Sequence, residues 1–221
     1  MGRHPEWLLT PERAAVHLPT ATAVIADLHL GYALVRQRRG EAVPADALDE
    51  ALAPLRLLRA RQQFDRLVIA GDLFEDGRAA PAEGLIDWLN AAGITLAGII
   101  PGNHDRGLRD EPDCLPIFPD GMDLGGWRVV HGDGPLPDGP VVQGHVHPCL
   151  RWGSGVVAPC YLEGPRHLVL PAFSADAAGV NVLRDPRWQH YRCHAVSGKR
   201  VLDFGELAVL GRRTQRKGRR R

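Results

Sequence analysis

Five short apolar runs in this chain each lead into residues that can hold a metal ion or move a proton. Residues 21–26 end at Asp27-Leu28-His29, residues 67–70 at Gly71-Asp72, and residues 94–100 lead into Pro101-Gly102-Asn103-His104-Asp105. Further on, residues 127–130 lead into His131-Gly132, and 141–142 into Gly144-His145-Val146-His147. The donors are carboxylate, carboxamide and imidazole, with no thiolate. Such a set suits hard-to-borderline divalent ions, Mn²⁺, Fe or Zn²⁺, rather than thiolate-bound structural zinc. In Asp27-x-His29 and His145-x-His147 the pair is two residues apart, and on extended chain both side chains then point to one side. Glycines at 71, 102, 132 and 144 permit tight turns and close backbone approach.

Any one of these residues alone reads as a strand-end cap or a satisfied polar group; it is the joint set that points to chemistry. Half of the ten histidines fall in it, and the other five, His4, His17, His167, His190 and His194, read as structural or exposed. Cys149, two residues past His147, reads as a small buried hydrophobe.

The donors need a scaffold that brings five strand ends together. The apolar runs read as buried strands, and in α/β sheets ligands bind at the carboxyl ends of strands. Residues 7–9 and 14–18 read as an opening β-hairpin, and 31–44 as a long loop or short helix. Residues 45–64 carry Leu48, Leu52, Leu55 and Leu58 at helical spacing, with Pro54 expected to kink or split the helix. Residues 81–92 read as a second helix stopped by Gly93. Beyond His104 helical signals fade. Short strands are expected at 127–130, 141–142, 156–157, 167–170, 191–195 and 199–204, with loops at 106–125 and 132–140. The segment Pro171-Ala172-Phe173-Ser174 is a candidate support for the metal loops from behind and receives no assigned role. The layout is a mixed α/β sandwich, a single domain over 1–211 followed by a tail expected to be unstructured.

Composition excludes several classes. The 221 residues are 44% hydrophobic and 24% charged, ordinary for a soluble globular chain. No apolar run approaches the roughly 18 residues that span a bilayer, and the N-terminal residues lack an apolar export core. The four cysteines form no CxxC pair, and together with the missing export signal they point to reduced thiols in the cytoplasm. The formal charge of +1 conceals an asymmetry. Residues 212–221 hold Arg212, Arg213, Arg216, Lys217, Arg219, Arg220 and Arg221 and no acid, which leaves a body of −6 and a tail of +7. A tail of that kind can attract nucleic acid by neutralising phosphates.

The ordered set DxH, GD, GNHD, HG and GHxH resembles the calcineurin-like metallophosphoesterase superfamily, over Asp27 to His147. The run Asp27-Leu28-His29-Leu30-Gly31-Tyr32, with the Arg-rich stretch after it, is also similar to a bacterial subgroup of nuclease-related or ligase-associated phosphoesterases. The resemblance implies a four-layer α/β/β/α sandwich with two divalent metal ions, Mn²⁺ being the expected pair. It implies that Asp27, His29, Asp72 and His147 hold one metal and Asp72, Asn103, His131 and His145 the other, with Asp72 bridging. It implies hydrolysis of a phosphate ester by a hydroxide lying between the metals, with His104 beside the leaving-group oxygen and Asp105 bonded to the other ring nitrogen of His104. Arg106, and a basic lip of Arg36, Arg38 and Arg39, are candidate substrate contacts. The preferred substrate is a phosphodiester of nucleic acid or a nucleotide. A phosphomonoester or cyclic nucleotide is the alternative, and a non-catalytic docking scaffold is disfavoured by the complete ligand set. Oligomeric state is not encoded in any visible pattern.

Overall fold

Residues 4–44, 48–76, 82–105, 107–108, 115–153 and 155–218 are described by the computed structural model of the chain. The period-two alternation of the apolar runs sorts their side chains between two faces. Thr22–Ile25 (β3) and Arg66–Ala70 (β4) send Ala23, Ile25, Leu67 and Ile69 to one side and Val24, Val68 and Ala70 to the other. Both faces must therefore be covered, and runs with no polar side are what a central parallel pair requires.

The first sheet has the order β1-β2-β3-β4-β5, with Trp7–Leu9 as β1, Ala15–His17 as β2 and Thr95–Ile100 as β5. β1 and β2 form the expected antiparallel hairpin, and β3, β4 and β5 run parallel. On its outer face lie Leu48–Arg59 (α2) and Ala82–Ala91 (α3), which bury Leu52, Leu55, Leu58, Leu85 and Leu89. Pro54 does not split α2: the helix runs unbroken through it. The leucine row packed on the sheet holds the chain helical where the proline alone would end it. Tyr32–Arg38 (α1) is the short-helix alternative for the 31–44 stretch.

The second sheet contains, among the described residues, Met122–Leu124 (β6), Trp127–Val130 (β7), Val141–Gln143 (β8), Pro148–Trp152 (β9), Val156–Gly164 (β10), His167–Val169 (β11), Val180–Asn181 (β12), Arg192–Ser197 (β13) and Arg200–Glu206 (β14). Its inner residues Trp127, Val129, Val142, Tyr161, Leu168 and Leu170 meet Val24, Ala26, Val68 and Ala70 of the first sheet in one core. Its outer face buries Leu150, Cys160, Leu162, Val169 and Cys193 beneath Leu207 and Leu210 of Leu207–Gly218 (α4). Three cores thus separate four layers, and the α/β/β/α sandwich is the observed fold. β6, β9 and β12 were not expected, and β10 is far longer than its Val156-Val157 kernel. The tail expected to be unstructured is helical through Gly218. Leu207 and Leu210 anchor its first turns, and Arg and Lys are good helix formers once a helix is nucleated.

Candidate metal centre

The parallel strands β3 and β4 stay hydrogen-bonded past their ends. Asp27 N–H donates to Gly71 O at 3.1 Å, His29 N–H to Asp72 O at 2.9 Å, and Leu30 N–H to Leu73 O at 2.9 Å. Through this stretch the backbone turns left-handed. Among the described residues seven non-glycine residues have positive φ, and five of them are Asp27, His29, Asp72, His145 and His147. Non-glycine residues in that region are uncommon and collect where function dictates geometry. Here the twist aims successive donors into one rim.

Glycine is required where these loops touch. A Cβ on Gly71, at φ +89°, would lie 1.7 Å from His131 Nδ1, and one on Gly102 would lie 2.2 Å from Asp72 Oδ1. The segment without a role in the sequence supports the rim from behind. Phe173 N–H donates to Ala26 O at 2.7 Å and Ser174 N–H to Asp27 O at 3.2 Å. Arg13 in turn donates to the Ser174 carbonyl at 2.8 Å.

All seven predicted ligands gather here. Asp27, His29 and His147 form one triad whose ligand atoms lie within 4.8 Å of one another; Asp72, His131 and His145 form a second. Asn103 Oδ1 lies 3.1 Å from His131 Nε2, on the second triad. Asp27 sits between the two groups: its carboxylate accepts the His145 N–H at 3.0 Å, and lies 3.6 Å from His131 Nδ1 and 3.5 Å from His147 Nε2. Asp72 accepts the His104 N–H at 2.9 Å and lies 3.7 Å from His131 Nε2.

The residues fit divalent cations. His29 is buried, yet neither ring nitrogen makes a hydrogen bond, even with Glu75 Oε2 2.9 Å from Nδ1. His145 Nδ1 faces His131 Nε2 at 3.1 Å. Buried polar atoms ordinarily find partners, and two imidazole nitrogens do not choose each other without cause. Lone pairs converging beside two buried carboxylates are what a cation pair satisfies.

Electrostatics point the same way. Burial pulls His29 below its ordinary pKa against the charges of Asp72, Asp27 and Glu75. Burial, then His131, pulls His145 down. Both favour the neutral imidazole that ligates. His147 differs: burial pulls it down, but the hydrogen bond and charge of Asp27 outweigh burial and leave it raised.

His104 lies at the edge of the rim, its ring 5.3 Å from that of His29. The expected contact between its ring and Asp105 is not formed. His104 Nδ1 instead lies 2.9 Å from the Glu75 carbonyl, and Asp105 accepts the N–H groups of Leu73 and Phe74 at 3.0 Å and of Gly102 at 2.9 Å. The resemblance implies the neighbouring ring; the strand-end loops instead present three N–H groups, and the buried carboxylate accepts all three. Burial raises the Asp105 pKa and those three bonds oppose the rise. Asp105 therefore clamps two loops rather than one imidazole.

Glu75 was missed by sequence reasoning. Its side chain reaches His29, its carbonyl holds His104, and it forms a third donor group with both. The available signal was an acid three residues beyond Asp72, still in the strand-end loop. The basic lip is only partly present. Arg36 is held by Glu41 and lies over the Tyr32 ring, while Arg38 and Arg39 are exposed at the end of α1. Arg106 lies outside the described residues. Cys149 is buried, as expected, and burial raises its thiol pKa.

The family model described as calcineurin-like phosphoesterase matches residues 21–152, a span that holds every residue of the rim. The crystal structure of Pseudomonas putida nuclease MPE matches with a TM-score of 0.70 and 24% identity, covering 90% of this chain and 94% of that one. That likeness is one of fold. None of the curated proteins compared matches this chain.

Proposed function

The chain belongs to the calcineurin-like phosphoesterase family, and from that premise we propose that it cleaves phosphodiesters of nucleic acid at a two-metal centre. It is a metal-dependent hydrolase of phosphate esters. No helix of the described residues is long and apolar enough to cross a membrane.

The observation that carries the proposal is the pair of donor triads on one rim, with Asp27 between them and His104 at its edge. Asp27, His29, Asp72 and His147 would hold one cation, and Asp72, Asn103, His131 and His145 the other, with Asp72 common to both sets. Mn²⁺ is the cation we propose. Such a pair supplies Lewis-acid charge and lowers the pKa of bound water.

The chain's own groups supply the rest. The Glu75 carbonyl can only accept, so Nδ1 of His104 carries the hydrogen and donates it. Nε2 is then the atom that takes or gives a proton, and it serves the leaving-group oxygen. The Asp105 clamp on Leu73, Phe74 and Gly102 fixes the loops from which Asp72 and His104 project. Asn103 and His145 are exposed, so the rim is open on that side. An open rim admits a polymer, which favours a diester of nucleic acid over a small closed substrate. The printed name of the structural neighbour, a nuclease, supports the same choice.

The test is hydrolysis of bis-p-nitrophenyl phosphate, p-nitrophenyl phosphate and a single-stranded oligonucleotide with added Mn²⁺. Cleavage of both diesters in preference to the monoester is expected, with Asp72→Asn lowering it at least ~10³-fold. A preference for the monoester would establish the small-molecule reading instead. An Asp72→Asn variant as active as wild type would sink the two-metal centre.

A further inference from the structure

β9 follows His147 directly, and its register with β10 decides which of its side chains face the site. Leu150 opposite Ala158 and Trp152 opposite Val156 belong to the outer core under α4. Alternation sends Cys149 and Arg151, with Val157 opposite Arg151, to the other face. That is the side on which the first sheet and the rim lie.

The ribbon also projects beyond the strand ends. β10 pairs with β11 and β13 through its later residues, but with β9 through residues 156–159, past the ends of β8 and β11. The segment before β12 ties this ribbon to the rim. The His147 carbonyl accepts the Val180 N–H at 2.9 Å, the Ala178 carbonyl lies 3.4 Å from His147 Nδ1, and Asn181 Oδ1 accepts the Arg151 N–H at 3.2 Å. The wall is braced; its two outermost inward-facing side chains are exposed.

Those two side chains stand in water, as do Arg38, Arg39, Arg66, Arg166 and Arg200; what sets Arg151 apart is its place on the ribbon that leaves His147. Arg36, Arg56, Arg61, Arg128, Arg187 and Arg192 each have a carboxylate partner. Among the described residues no carboxylate, hydrogen bond or ring engages the Arg151 guanidinium. Val157 beside it is 63% exposed. A free guanidinium beside an exposed apolar side chain matches a nucleotide, which offers a phosphate to the one and the face of a base to the other.

We propose that Arg151 and Val157 form a subsite for the nucleotide flanking the scissile phosphate of a single-stranded nucleic acid. The assignment rests on the nucleic-acid reading above. His147 and Arg151 are four residues apart, ~13 Å along an extended ribbon. The guanidinium therefore addresses a neighbouring phosphate and leaves the scissile one to the rim. Arg151 binds substrate and takes no part in the bond change.

The test compares wild type, Arg151→Ala, Arg151→Lys and Val157→Glu on a single-stranded oligonucleotide and on bis-p-nitrophenyl phosphate, with oligonucleotide binding measured across salt. Arg151→Ala should raise KM for the oligonucleotide about tenfold, the effect of losing one charged hydrogen-bonded contact, with kcat within about twofold. The slope of log K against log salt should fall by ~0.7, one phosphate contact on a single strand. Lysine should restore the slope but not the full affinity, since it is a point charge without the fork. Val157→Glu places a carboxylate across the strand from Arg151 and should weaken the oligonucleotide similarly. All variants should match wild type on the small diester and melt within a few degrees of it. Equal losses on both substrates would make Arg151 structural and overturn the assignment, as would an unchanged KM and salt slope. If wild type cleaves the small diester but neither binds nor cleaves the oligonucleotide, the nucleic-acid reading falls and the subsite falls with it.

Discussion

Two sets of histidines lie in this sandwich, and their hydrogen bonding differs. In the second sheet His194, opposite the inward-facing Tyr161, has its Nε2 2.9 Å from Glu163 Oε2, and His167 is held between the Tyr191 hydroxyl at 2.8 Å and Gln143 Oε1 at 2.9 Å. Each ring has found partners, as buried polar groups do. At the strand-end rim neither ring nitrogen of His29 makes a hydrogen bond, although Glu75 Oε2 stands 2.9 Å from Nδ1, and His131 and His145 face each other. The backbone differs too: His29, His145 and His147 have positive φ, whereas His167 and His194 lie within strands, His194 beside a register shift in the β13–β14 ladder. A satisfied histidine within a strand completes a fold. An unsatisfied one on strained backbone is kept for something that has yet to bind.

The sharpest way to break this distinction is to exchange the fates of His131 and His194. His131→Ala should lose Mn²⁺ stoichiometry and at least ~10³-fold in kcat/KM, beyond the 10–100-fold typical of outer-shell changes. His194→Ala should keep both, since it lies on β13 among groups that already pair with one another. Metal analysis together with diester hydrolysis decides it. A His194 variant that loses metal, or a His131 variant that retains it, would erase the contrast.

Stability should invert the order. Removing His194 takes one of the groups that meet the buried Glu163 carboxylate, and losing one buried hydrogen-bond partner costs about 1–3 kcal/mol. Removing His131 from the metal-free protein takes away a ring with poorly matched neighbours and should cost less. Urea unfolding of the two metal-free variants measures the difference. A His131 variant as destabilised as the His194 one would mean the rim is held together by its own contacts.

How far could this be read before the fold was known? The seven ligands were legible because each sits just past an apolar run, where sequence and topology coincide. The strands β3, β4 and β5 were legible for the same reason. Glu75 and Asp105 show the limit. Their partners are backbone groups and a ring delivered by loop geometry, and residue spacing carries no trace of where a carbonyl or N–H will point. β9 escaped because Pro148, Cys149, Leu150, Arg151 and Trp152 do not alternate polar with apolar: Leu150 is covered by α4 and Cys149 by the loop before β12. The helix α4 escaped because its charges dominate the composition, while two leucines decide its docking.

A smaller effect separates the two histidine sets by pH. Burial lowers the His167 pKa to about 4 from 6.5, and its contacts suit the neutral ring. Below pH 6.5 the unfolded chain takes up a proton that the folded chain refuses until about 4. The stabilisation is therefore complete above 6.5 and is lost progressively down to about 4, amounting to about 2 kcal/mol once its partial exposure is discounted. His167→Gln should flatten that part of the stability profile relative to wild type, read by urea unfolding of metal-free protein between pH 7 and 4. A variant with an unchanged slope would assign the acid sensitivity to the rim histidines alone.

The smallest effect concerns the charge asymmetry of the chain, −6 in the body and +7 over residues 212–221. The rim uses the negative side of that asymmetry, since Asp27 and Asp72 face the proposed cations. The positive side lies beyond Leu210, which anchors α4 in the outer core, and we expect it to act by long-range attraction. Long-range attraction between exposed charges is screened within about 10 Å at 0.1 M salt. Deleting residues 212–221 should therefore slow oligonucleotide cleavage severalfold near 50 mM salt and hardly at all near 200 mM, with the small diester unaffected at both. Loss on both substrates at every salt concentration would instead mean that the later turns of α4 brace the outer core. The positive charge would then belong, with His194 and His167, to the part of the molecule that completes the fold.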